Sequence, residues 1–92
     1  MFSKEERREI CYKAVRTFGE NAQCIKAMEE CGELVHALAR KVLDQDPDLD
    51  NICEEIADVE ILMEQMRVIF GDAFIDKWKH KKLEKLNGVV WW

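Results

Sequence analysis

With one proline and four glycines in 92 residues, the chain has little of the turn-forming punctuation that a sheet protein needs between its strands. It is rich instead in Ala, Leu, Ile, Glu and Lys, residues that sit well in helices, so the expected fold class is all-α. Positive charge is in deficit: 14 Lys and Arg against 19 Asp and Glu leave a formal charge of −5. That balance argues against a general nucleic-acid-binding surface, which is built mainly from clustered Lys and Arg. A phosphate ligand would need a bridging cation or a local basic patch. No apolar run is long enough to cross a membrane, and Met1-Phe2-Ser3-Lys4-Glu5-Glu6-Arg7-Arg8 has no apolar signal core, so the expectation is a cytoplasmic protein without membrane contact. Cys11, Cys24, Cys31 and Cys53 form no C-x-x-C pair and no zinc-like spacing, and read as small core residues in a reducing compartment.

What is present reads as a single domain, residues 1–92, of four helices. Ser3 with Glu6 three residues later is a capping box opening a helix over about 4–18, which Gly19 can end with a positive φ. Asn21 can cap a second helix over about 21–43, whose apolar stripe Cys24, Met28, Cys31, Val35, Leu38 and Val42 has the spacing of a buried face. The acidic stretch Asp44-Gln45-Asp46-Pro47-Asp48-Leu49-Asp50 is a connector, with Asp48 or Asp50 as N-cap of a third helix over about 51–70. Its apolar arc holds Ile52, Ile56, Val59, Leu62, Met63, Met66 and Phe70, with Glu60, Glu64 and Arg67 opposite. Gly71 and Asp72 break it. A lysine-rich fourth helix, about 73–86, carries Phe74, Ile75, Trp78, Leu83 and Leu86, and Gly88 is expected to stop it, leaving the apolar tail Val89-Val90-Trp91-Trp92.

The chemistry concentrates in two acid pairs. Residues three apart on a helix share a face, so Glu30 pairs with Glu33 and Glu55 with Asp58. Glu55 falls inside the apolar arc of its helix, where a lone carboxylate is costly and a metal-bound one is not. Two such helices side by side direct four carboxylates at one volume, and their repulsion calls for a cation. A hard ion such as Mg²⁺ suits the set, because it takes oxygen ligands and shares the remainder with water and substrate phosphates.

The pattern Glu30-x-x-Glu33 followed by Glu55-x-x-Asp58 resembles the MazG-like, all-α nucleoside triphosphate pyrophosphohydrolases. The segments Lys26-Ala27-Met28-Glu29-Glu30-Cys31-Gly32-Glu33-Leu34, Glu54-Glu55-Ile56-Ala57-Asp58-Val59 and Lys82-Leu83-Glu84-Lys85-Leu86 carry the likeness, which spans roughly residues 18 to 86 and is greatest to compact, single-domain, phage-type members. The chain departs from some relatives at His80, where they carry an asparagine two residues before the lysine matched by Lys82. The resemblance implies a four-helix bundle and hydrolysis of a ribo- or deoxyribonucleoside triphosphate to the monophosphate and pyrophosphate, with Mg²⁺ as cofactor and Mn²⁺ as a substitute. Glu30, Glu33, Glu55 and Asp58 would ligate the metal, and Glu29 would orient or deprotonate the attacking water. Lys82 and Lys85 would neutralise the pyrophosphate, while Gln23 and Lys26, one to two turns before Glu30, can reach substrate.

Two other readings stand beside this one. A helical interaction module would carry the same acids as a solvated face. A di-iron carboxylate protein would use Glu33-x-x-His36, but its second motif has Ile61 where histidine is needed. Tyr12 and Phe18 are candidates to line a base pocket. Apolar arcs too wide for so short a chain, together with the tail, predict a homo-oligomer, with a dimer as the minimum unit and a tetramer as the alternative.

Overall fold

The computed structural model describes residues 1–44 and 48–90. Its four helices are α1 (Lys4–Phe18), α2 (Glu20–Asp44), α3 (Leu49–Phe70) and α4 (Asp72–Val89), with no strand among the described residues. The expected all-α, four-helix architecture is therefore observed. Gln45, Asp46 and Pro47 of the acidic connector, and Trp91 and Trp92 of the tail, lie outside the described residues.

Local chemistry sets the helix ends. The Ser3 hydroxyl accepts from the Glu6 N–H and the Glu6 carboxylate accepts from the Ser3 N–H, completing the capping box. Gly19 (φ 95°) and Gly71 (φ 92°) end α1 and α3, each donating its N–H back into the helix, to Val15 and Arg67 respectively. A side chain at either position would strain the backbone, so single glycines can serve as entire connections. The Gly19 carbonyl also accepts from Gln23 N–H, so α2 starts at Glu20 and Asn21 lies within its first turn instead of capping it. Asp48 caps α3 through Asn51 N–H. Gly88 does not stop α4: backbone bonding continues through it, and Val90 N–H still finds the Leu86 carbonyl.

Helix α3 is the spine. α2 makes the most extensive contact with it, α1 covers a second side, and the α4 backbone approaches only α3. Cys11 donates its thiol to the Ile61 carbonyl across the α1–α3 contact. Arg8 of α1 pairs with Glu64 and Asp72, while Arg67 reaches Asp72 at 3.0 Å and Asp76 at 2.8 Å, tying the root of α4 to the other helices. Glu64 and Arg67 are thus half-buried bridging residues, not a free outer face.

The inward face of α2 differs from the expected one. Gln23, Ala27, Glu30 and Ala37 are buried and Leu34 is half-buried, whereas Met28 and Val35 are each 67 % exposed and Val42 is 70 % exposed. The helix is turned by about a quarter-turn from its most apolar stripe. The short side chains of Ala27 and Ala37 let its backbone lie close to α3. Cys31 and Cys53 are exposed, and of the four cysteines only Cys11 is a buried core residue. On α3, Ile56, Met63 and Phe70 are also exposed, and on α4 so are Phe74, Trp78, Leu83 and Leu86. The core is consequently thin, built on Cys11, Val15, Ala27, Ala37, Ile52 and Leu62. A compact domain of this length has a radius of gyration of about 12 Å; this chain measures 15.6 Å.

Candidate metal centre

The antiparallel register of α2 on α3 builds the site. Gln23 Nε2 donates to Gln65 Oε1 at 2.6 Å in a buried bond, and Cys24 Sγ lies 4.0 Å from Met66 Sδ. Seven residues further along α2, and seven back along α3, that register sets Glu30 against Asp58. One turn beyond, it sets Glu33 against Glu55. The outcome is that ligand atoms of Glu30, Glu33, Glu55 and Asp58 all lie within 4.8 Å of one another. The four carboxylates that the spacing singled out are brought together on two facing helices.

Within this cluster Glu30 is buried, Glu55 and Asp58 are half-buried and Glu33 is exposed. Glu30 is only 7 % exposed, and Glu30 Oε2 and Glu55 Oε2 are buried oxygens without a hydrogen-bond partner. An unsatisfied buried carboxylate oxygen carries a desolvation cost that a hard cation would remove. Glu55 is pushed above the ordinary glutamate range, first by desolvation and then by the negative charges of Glu33, Asp58 and Glu30 around it. Among the described residues the cation paired with the cluster is Lys26, whose Nζ stands 3.2 Å from Glu30 Oε1 and 3.6 Å from Glu29 Oε2. The bond to Glu30 leads the interactions that raise the Lys26 pKa. One ammonium at the edge leaves the four-acid cluster short of positive charge, and an all-carboxylate donor set could hold a hard cation.

The remaining candidate residues are distributed differently. Glu29 is exposed and held by Lys26. Gln23 is buried two turns from the acids, its amide engaged by Gln65. Lys82 and Lys85 are exposed on α4, whose backbone does not approach α2. His36 is exposed, and His80 bonds Glu84 at 3.1 Å on the surface of α4. Tyr12 lies beneath the Arg16 guanidinium and lines two open surface grooves on α1, and Phe18 is exposed. A groove of about 440 Å³ between α1 and α3, lined by Cys53, Ile56, Ala57 and Glu60, opens on the side of α3 turned away from Glu55 and Asp58. Gln65 was missed by the sequence reading. Its signal was available, since it stands seven residues after Asp58 on the buried side of α3.

The raised Glu55 carboxyl has a measurable consequence in the metal-free protein. Between the ordinary glutamate value and the raised one, the native state binds more protons than the unfolded chain, so stability falls as pH climbs through that interval. In chelator, Glu55→Gln should therefore gain on the wild type as pH rises, read by urea unfolding at a series of pH values. Parallel stability curves for the two proteins would show that Glu55 titrates alike folded and unfolded.

Comparison with known proteins found no matching family model, no curated protein and no solved structure similar to this chain.

Proposed function

We propose that this protein is a Mg²⁺-dependent nucleoside triphosphate pyrophosphohydrolase of the MazG-like kind, acting in the cytoplasm as a homo-oligomer. The observation that carries the reading is the convergence of Glu30, Glu33, Glu55 and Asp58 within 4.8 Å, two of them with buried oxygens that have no partner. These four residues would hold the cation. When bound, a divalent ion there supplies charge neutralisation for a triphosphate and an acidified water for attack at the α-phosphorus.

The chain's own residues do the rest. Water adds to the α-phosphorus, the bond to the β-phosphate bridging oxygen breaks, and the nucleoside monophosphate and pyrophosphate leave. Glu29, exposed beside Glu30 and paired with Lys26, would orient that water or take its proton. Lys26 holds the Glu30 carboxylate by one oxygen, leaving Oε2 free for a ligand. Lys82 and Lys85 supply the positive charge for the departing pyrophosphate. Gln23 braces the α2–α3 register through Gln65 and so positions the acids.

The deciding experiment is a pyrophosphate-release screen over all ribo- and deoxyribonucleoside triphosphates with Mg²⁺. Release of pyrophosphate from one base or sugar class, absent in EDTA, is the expected result, and it names the substrate. Orthophosphate release, or no turnover with any nucleotide, would sink the reading. Lys82→Ala and Lys85→Ala should each raise KM or lower kcat by about tenfold or more, the scale of one lost phosphate contact. Lys4→Ala and Lys41→Ala should leave both constants unchanged. Equal, negligible effects in all four variants would assign α4 to a solvated role.

A further inference from the structure

Lys26 reaches the acid cluster from one turn earlier on α2. Its ammonium stands 3.2 Å from Glu30 Oε1 and 3.6 Å from Glu29 Oε2, so one cation is shared between a buried acid of the cluster and an exposed acid outside it. Among the described residues no other ion pair reaches Glu30, Glu33, Glu55 or Asp58. Helix geometry alone does not account for the pair, because at i,i+4 a lysine that precedes its glutamate is the weaker order. The unmet charge of Glu30 accounts for it: this carboxylate is buried, and its second oxygen has no partner.

From this we infer that Lys26 is the built-in counter-ion of the metal-free site, competing with a divalent cation for Glu30 and so setting how tightly that cation is held. The inference rests on the cation site proposed above and not on hydrolysis. An ion on Glu30 Oε2 and the ammonium on Oε1 would share one carboxylate, and positive charges about 5 Å apart oppose each other. The ammonium is free to leave. Lys26 is exposed, its stem is flexible, and Glu29 offers it a second carboxylate outside the cluster once Glu30 is taken. Binding is thus an exchange of one cation for another at Glu30. Lys26 lowers the cost of the empty cluster, and the ion gains only the difference between its own hold on Glu30 and that of the lysine. By linkage, whatever strengthens the Lys26–Glu30 pair weakens ion binding by the same factor.

The test is titration of the full chain with Mn²⁺ alone, followed by calorimetry, together with thermal unfolding in EDTA and in saturating Mn²⁺. Lys26→Met removes the charge, keeps a long side chain and suits a helix equally well. It should bind Mn²⁺ on the order of tenfold more tightly than the wild type, the scale of one unit charge acting on a divalent ion at this range. Its Tm should lie below the wild type in EDTA, and the gap should close in saturating Mn²⁺. Lys26→Arg, which keeps the charge, should bind Mn²⁺ as the wild type does. So should Lys41→Met, on the same helix but two turns past Glu33, about a Debye length away in 0.1 M salt. A merely structural pair would lower Tm equally with and without Mn²⁺ and leave the affinity unchanged. Mn²⁺ binding by Lys26→Met that is equal to or weaker than wild type, or a gain of the same size in Lys41→Met, overturns the inference and leaves the acid site standing. No Mn²⁺ binding by the wild type overturns both.

Discussion

Glu30→Gln and Asp58→Asn should each abolish pyrophosphate release while leaving the helical fold intact. Each substitution keeps the side-chain shape and removes one negative ligand from a cluster whose atoms lie within 4.8 Å. The loss in kcat/KM should exceed about 100-fold, the upper end of what losing even an outer partner of a metal ligand costs. Stability in chelator should move the other way. With no cation bound, the four carboxylates repel and two of their oxygens are buried without partners, so neutralising one relieves a strain that the metal-free protein carries. The urea midpoint in EDTA should therefore hold or rise in the same variants that have lost turnover. The combination is diagnostic, because an ordinary destabilising mutation lowers both. Wild-type activity in either variant at saturating Mg²⁺ would remove these acids from the site.

The second large effect is stabilisation by the cation itself. An ion that binds the folded site and not the unfolded chain stabilises by about 2.7 kcal/mol when its free concentration is 100 times its dissociation constant. For a domain of this size that is a rise in Tm on the order of 10 °C. Mg²⁺ or Mn²⁺ should produce such a shift in thermal unfolding at fixed protein concentration, EDTA should reverse it, and Asp58→Asn should abolish it. A helical interaction module with merely solubilising acids would show no ion-specific shift. An identical response in Asp58→Asn and wild type would place the ion elsewhere on the chain. The measurement requires no knowledge of the substrate, so it separates a wrong site from a wrong choice of nucleotide.

The helices were legible in the sequence because their signals are local. Ser3 and Glu6, Gly19, Asp48 and Gly71 each act through bonds or dihedral angles within a few residues, and all five stand at the ends expected of them. The membership of the acid pairs was equally local, since the pitch of a helix alone sets residues three apart on one face. Two misplacements mark where local information stops. Gly88 falls inside α4 because a single glycine does not override backbone bonding that continues past it, and Asn21 is not a cap because Gly19 already accepts the first bond of α2.

Which face of α2 turns inward was decided only by the tertiary structure. The stripe through Met28 and Val35 and the stripe through Ala27 and Glu30 both have helical spacing, and periodicity cannot say which neighbour each one meets. The less apolar stripe won because its small residues let α2 close on α3, and in doing so it carried Glu30 into the interior. The meeting of Glu30 with Asp58 and of Glu33 with Glu55 likewise depends on the antiparallel register, which the Gln23–Gln65 bond reports across 42 residues of chain. By itself the sequence determined four helices and two acid pairs; only packing decided that the pairs face each other, because register is a property of two surfaces and not of either helix alone.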